Sequence, residues 1–263
     1  MGGTTPLLGI HYPSGTTKAV DLGTELEAMA GDVERALIAG GIPPVTPAPV
    51  MVAATAAARD AFWGVPANET ARRTLQNRGA TTVRTDKGWT ERYYATYDAT
   101  TNPGGVKVAG WYPVGGSMPQ IDLYPSGAQV VNSGSLISAW SAPGSGDSIA
   151  FGGAEWFSYG GGIITVNRTG VYSVSALVSV SSASGAAAAF FLTRNGNSSV
   201  QAQDTVLTHS GYGTMAHLTA AGISLDAGDT IRVYLTAATQ QLSAPQAAGR
   251  AQGEFSMRFV RPR

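Results

Sequence analysis

Gly162-Ile-Ile-Thr-Val-Asn-Arg-Thr-Gly-Val-Tyr-Ser-Val-Ser-Ala-Leu-Val-Ser-Val180 decides how this chain is read. It consists of short apolar and β-branched runs separated by Gly, Ser and Asn, and it contains nothing that looks like catalytic machinery. The same character continues in Leu225-Asp-Ala-Gly-Asp-Thr-Ile-Arg-Val-Tyr-Leu235 and in Glu254-Phe-Ser-Met-Arg-Phe-Val260. Earlier strands are expected at 135–140 and 148–151, and Phe190-Phe-Leu-Thr-Arg leads into an Asn195-Gly196 turn. Low-complexity loops are expected at 182–189 and 243–253. No strand–helix–strand alternation appears, which favours an antiparallel sandwich over a parallel sheet.

Composition narrows the function. Among 263 residues only 13% are charged, with Lys+Arg and Asp+Glu at 17 each, so the concentrated basic charge that nucleic acid requires is missing. Glycine is abundant at 34 residues, and there is no cysteine. Disulfides, Cys-ligated zinc and thiol catalysis are therefore excluded, and oligomerisation becomes the expected source of extra stability. No signal-peptide pattern opens the chain, and no apolar run approaches the ~20 residues of a membrane span. The expectation is a protein made in a bacterial cytoplasm that leaves with a particle, without membrane insertion.

Six segments are expected. Residues 1–20 form an extended arm. Residues 21–40 form a helix in which Leu22, Leu26, Met29, Val33 and Leu37 recur at spacings of four and three, the pattern of a short coiled-coil seam. Asp21 suits its N-cap and Gly40-Gly41 its stop. The same stripe also describes an ordinary amphipathic helix; the shortage of neighbouring helices favours self-association. Residues 41–50 are a proline-rich linker. Residues 51–115 are an aromatic-rich α+β collar, with a short helix near 55–62 and a hairpin turning at Asp86-Lys87-Gly88. Its Trp63, Trp89, Tyr93, Tyr94, Tyr97, Trp111 and Tyr112 fit either a module core or a sugar-binding surface. Residues 116–132 read as a hinge, opening on Gly115-Gly-Ser-Met-Pro119. Residues 133–263 form the β-knob.

A search for chemistry finds little. The histidines are His11, His209 and His217; the last two, with Asp204, have a generic spacing that does not make a metal site. No nucleophile elbow, phosphate loop or dinucleotide fingerprint occurs. Asp226 and Asp229 flank a turn, where Asp is favoured for turn reasons alone. No catalytic residue, cofactor or metal is expected. Tyr212, between Gly211 and Gly213 and flanked by His209 and His217, is the candidate surface contact.

Two resemblances follow from these residues. Ile164-Thr-Val-Asn-Arg-Thr-Gly-Val-Tyr-Ser-Val, Leu225-Asp-Ala-Gly-Asp-Thr-Ile-Arg-Val and Phe255-Ser-Met-Arg-Phe-Val resemble, in order and spacing, strands of the trimeric jelly roll shared by complement-type globular heads and the tumour necrosis factor family. That implies a mainly β homotrimer with a jelly-roll sandwich at its C-terminal end. Gly9-Ile-His-Tyr-Pro-Ser-Gly-Thr, Ala57-Ala-Arg-Asp-Ala-Phe62, Val83-Arg-Thr-Asp-Lys-Gly-Trp-Thr-Glu-Arg-Tyr93 and Tyr97-Asp-Ala-Thr-Thr-Asn-Pro-Gly-Gly-Val-Lys-Val-Ala-Gly-Trp-Tyr-Pro-Val114 are similar to minor tail or fibre proteins of phages that infect actinobacteria. That implies a virion protein bound to other virion proteins through its arm and to a host-surface glycan or protein through its knob. A capsid-attached head fibre and a cell-wall polysaccharide depolymerase are the alternatives.

Overall fold

A computed structural model describes residues 3–4, 11–12, 50–145, 149–180, 187–196, 199–207, 214–237, 240–242 and 253–263. The chain divides into two compact units, Met1–Pro49 and Val50–Arg263. In the first, β1 (Gly3–Thr4) pairs antiparallel with β2 (His11–Tyr12). The expected seam of Leu22, Leu26, Met29, Val33 and Leu37 lies outside the described residues.

The second unit begins with a small α+β module. It contains β3 (Val50–Ala53), α1 (Ala56–Trp63), α2 (Glu69–Asn77), β4 (Thr81–Arg84), β5 (Trp89–Tyr94) and β6 (Gly110–Gly116), with sheet order β3-β4-β5-β6. Thr55 caps α1 by accepting the Ala58 N–H, and the hairpin joining β4 and β5 turns through the expected Asp86–Gly88. Helix α2 is absent from the sequence-based expectation. It buries only Leu75, so it has no apolar period to notice, although Asn68 caps it by accepting the Ala71 N–H.

The remaining strands are β7 (Gln120–Leu123), β8 (Gln129–Val131), β9 (Ser135–Leu136), β10 (Ile149–Phe151), β11 (Phe157–Gly160), β12 (Ile163–Val166), β13 (Gly170–Val180), β14 (Ala187–Arg194), β15 (Ser199–Leu207), β16 (Thr214–Leu225), β17 (Thr230–Ala237), β18 (Gln240–Leu242) and β19 (Gly253–Arg261). One sheet runs β7-β19-β13-β16, with β10, β18 and β8 added at its edges. The other runs β12-β17-β14-β15, with β11 and β9 added. Taking the eight principal strands in chain order, the first pairs with the eighth, the eighth with the third and the third with the sixth. The second pairs with the seventh, the seventh with the fourth and the fourth with the fifth. This is the double Greek key of a jelly roll. The alternation that defines its core is plain in β13, whose Tyr172, Val174, Ala176 and Val178 are buried while Ser173, Ser175 and Leu177 face outward.

Two boundaries differ from expectation. Residues 116–132 are not a hinge: they contain β7 and β8, and Ile121 and Leu123 are fully buried. The glycine-rich start that suggested flexibility does the opposite. Gly116, at φ +83°, lies so close to the preceding turn that a Cβ there would sit 2.6 Å from the Gly88 carbonyl oxygen. The start of β14 also extends into the expected 182–189 loop, because Ala187–Ala189 pair with β15 despite weak strand propensity.

The collar and the knob share one core. Trp89, Val106 and Tyr112 belong to the same buried cluster as Trp156, Tyr172 and Phe259. The Tyr112 ring stacks on Phe259 at 6.1 Å and 20°, and Trp89 meets Trp156 edge-on at 6.3 Å. A second, smaller cluster of Leu75, Ala80, Tyr93 and Trp111 holds α2 against β5. Among the described residues no helix is long and apolar enough to cross a membrane.

A shared core predicts a single unfolding transition for Val50–Arg263. Phe259→Ala is expected to cost about 3–5 kcal/mol and to lower the midpoints reported by tryptophan fluorescence and by far-ultraviolet dichroism together. Denaturant curves in which the two probes separate in the wild type would show that collar and knob are independent.

Candidate binding surfaces

Strand ends define two ends of the sandwich. At one, Gly170 pairs with Leu225, Val171 with Arg261 and Arg194 with Ile231. The short links 167–169 and 226–229 pass there from one sheet to the other. This is the end that the collar covers. The Arg168 guanidinium lies over Tyr112 and Trp156, donates to the Trp111 carbonyl at 2.8 Å and pairs with Glu155 at 3.3 Å. Lys107 holds Asp226 at 2.7 Å, Arg263 reaches the same carboxylate at 3.3 Å, and the Lys107 N–H donates to the Arg263 carbonyl.

Asp229 organises the turn behind this joint. Its carboxylate accepts from Arg194 at 2.6 Å, from Asn195 at 2.5 Å and from the Asp226 N–H at 2.6 Å. Asn195 in return accepts the Thr230 N–H, which fixes its left-handed φ of 51°. Burial acts to raise the Asp229 carboxyl, but these donors outweigh it and hold it below the usual carboxylate range. The hydrogen bond from Lys107 holds Asp226 low as well.

At the opposite end, Val180 pairs with both Thr214 and Leu242, and Ala187 pairs with Leu207. Strands that stop at 180, 207, 237 and 242 resume at 187, 214, 240 and 253, so the connections between them leave from this end. His209 and Tyr212 belong to one of them and lie outside the described residues. Exposed Leu207 and Met215 flank that connection. His217 is exposed on β16. Its backbone N–H, not its ring, donates to Asp204 at 2.8 Å, and its Nε2 is 3.3 Å from the Thr219 hydroxyl. The carboxylate therefore satisfies an edge amide of β16 and is not paired with the imidazole. Among the described residues no three His, Cys, Asp or Glu side chains are grouped to hold a metal.

Two concave surfaces complete the picture. On the outer face of the seven-stranded sheet, a hollow of about 420 Å³ is lined by Met118, Ser173, Ser175, Ser256, Arg258 and Val260. The Ser175 and Ser256 hydroxyls are 3.0 Å apart across it. On the same face, Asp122 is bonded by Gln120 at 2.8 Å, yet burial pushes its carboxyl above the usual range. In the collar, a groove of about 680 Å³ runs between the end of α1 and one face of α2. Trp63, Val65, Pro66, Ala71 and Leu75 form its apolar lining, and Thr70, Thr74 and Arg78 its polar side.

The aromatic residues of the collar divide accordingly. Trp89, Tyr93, Trp111 and Tyr112 are buried, so these are core. Trp63 lines the groove, with its indole N–H bonded to the Thr82 hydroxyl at 2.9 Å, and Phe62 and Tyr97 are exposed. The groove escaped sequence reading because one of its walls is α2, which has no apolar period.

No protein-family model matches this chain, and neither does any curated protein sequence. Solved structures similar in fold include the Eiger TNF of S. frugiperda (16% identity over 56% of this chain and 96% of that one, TM-score 0.39). They also include the globular domain of zebrafish complement 1qA (12% identity, 56% and 100% coverage, TM-score 0.41) and murine APRIL (15%, 55% and 100%, TM-score 0.40). The jelly-roll assignment itself rests on the strand pairing.

The carboxyls predict opposite pH responses. Asp229 stays ionised to lower pH in the folded chain than in the unfolded one. Its contribution is therefore complete above the ordinary carboxylate range and is lost as pH falls through its folded pKa. Asp229→Asn should lower Tm at neutral pH, by an amount that shrinks as pH falls below the ordinary carboxylate range. Asp122, shifted upward, costs stability once the pH exceeds the ordinary range, so Asp122→Asn should raise Tm at neutral pH. Calorimetric scans across pH check both signs.

Proposed function

We propose that this chain is a structural and adhesive protein of a phage particle, a homotrimeric tail fibre or minor tail protein whose jelly-roll knob attaches to the host cell surface. The observation that carries the reading is the asymmetry of the knob. One end is covered by the collar through Arg168, Tyr112 and the Lys107–Asp226 pair, which leaves the other end to project away from it. The stretches of the arm and collar that are similar to phage tail proteins support the same reading. The work is binding, with no bond made or broken.

The homotrimer is supported by the outer face of the seven-stranded sheet. Short side chains at Ser173, Ser175 and Ser256 leave a shallow hollow there that lets a second copy pack closely, and Ile149 adds exposed apolar surface. In a chain without cysteine, such packing supplies stability that disulfides do not. Three-fold display also multiplies weak contacts to a repeated surface sugar.

Light scattering is expected to return three times the single-chain mass, and Ser175→Arg to return the single-chain mass with an unchanged dichroism spectrum. A wild-type monomer at micromolar concentration would end the trimer reading. Antibody labelling should place the protein at the tail tip; labelled capsid vertices would make it a head fibre. Leu207→Asp and Met215→Asp together should weaken binding of the purified chain to host cells by at least tenfold. Release of reducing ends from host wall polysaccharide would make it a depolymerase instead.

A further inference from the structure

We propose that the collar groove along α2 is a second binding site, one that takes a linear glycan carrying a carboxylate; the proposal rests on the reading of this chain as a host-surface adhesin. Two parallel rows line the groove. Ala71 and Leu75, one turn apart on α2, make an apolar strip with Trp63, and Ala67 lines the groove just before the helix. Thr70, Thr74 and Arg78 recur at the same interval and make a polar strip beside it. Each four-residue step along a helix rises about 6 Å, close to the length of one pyranose residue in an extended chain. A pyranose ring offers an apolar C–H face and an edge of hydroxyls, and these two rows repeat that combination at a matching interval.

The polar row has capacity for a ligand. The Thr74 hydroxyl donates to the Thr70 carbonyl and keeps its lone pairs free to accept. The Arg78 guanidinium has no ion-pair or hydrogen-bond partner among the described residues. It is the one charged side chain lining the groove, so charge complementarity selects an anionic ligand, and a planar carboxylate matches its fork of donors. The volume of about 680 Å³ lies within the usual range for small-ligand sites. The strip is also anchored: Trp63 is held by Thr82 and by the neighbouring rings of Phe62 and Trp111, and Leu75 belongs to the collar's own buried cluster.

The test is calorimetric titration of the full chain with three probes: a hyaluronan tetrasaccharide, cellotetraose and inorganic phosphate. The uronate tetrasaccharide should bind, cellotetraose should bind at least about tenfold more weakly, and phosphate should neither bind nor compete. Ala67→Trp, which fills the groove from an exposed position, should reduce tetrasaccharide affinity more than tenfold. Arg78→Gln should remove the preference for the acidic probe while leaving cellotetraose binding unchanged. Undiminished binding by Ala67→Trp, or competition by phosphate as effective as by the tetrasaccharide, would overturn the site. Wild-type chain that adheres to host cells but binds no tetrasaccharide would also overturn the site and leave the adhesive reading standing. Groove-dependent tetrasaccharide binding by a chain that adheres to no bacterial cell would support the site and overturn the adhesive reading.

Discussion

The structure of Val50–Arg263 depends on one aromatic contact, the stacking of Tyr112 on Phe259 beneath the Arg168 guanidinium. Tyr112 comes from the last strand of the collar, Phe259 from the closing strand of the jelly roll, and Arg168 from the link between β12 and β13. Trp156 meets all three. An open end of a sandwich exposes core rings to water. Here a neighbouring module supplies the rings that cover it, and the two modules become one hydrophobic body.

That contact governs what the remaining surfaces can do. It makes one end of the knob internal and turns the other outward. It also carries the collar groove on the same body, in place of a flexible tether. The proposed adhesive role would benefit from this stiffness, since weak contacts add up only when their sites are held in fixed relation.

The charged residues follow the same economy. In a chain with few of them, several are placed at joints between elements. Glu91, nearly buried, accepts from Arg59 at 2.7 Å and from Arg84 at 3.3 Å, tying α1 to the β4–β5 hairpin. Arg84 also forks onto Asp86 in the turn of that hairpin. Asp226 does comparable work between collar and knob through Lys107, and Asp229 does it within the knob by holding Arg194 and Asn195. Removing one partner of such a pair leaves the other uncompensated, so these charges specify arrangement more than they add stability.

Much of the knob was legible in the sequence. Alternation in 170–180 and the Leu225-Asp-Ala-Gly-Asp turn are properties of neighbouring residues, and they carry strand direction, facing and connection locally. The short helix near 55–62 and the hairpin at Asp86–Gly88 were legible for the same reason. The false hinge at 116–132 and the unseen α2 were not. Gly116 reads as flexible until the Gly88 carbonyl is brought against it, and α2 has too little apolar pattern to announce itself. The fate of the aromatic residues was likewise undecided, since Trp111 in the core and Trp63 in the groove have the same chemistry. By itself, then, the sequence determined a mainly β chain built as an antiparallel sandwich, and its resemblance implied a jelly roll. The tertiary structure decided that collar and knob are one body and which surfaces stay open, because covering a face depends on residues far apart in the chain.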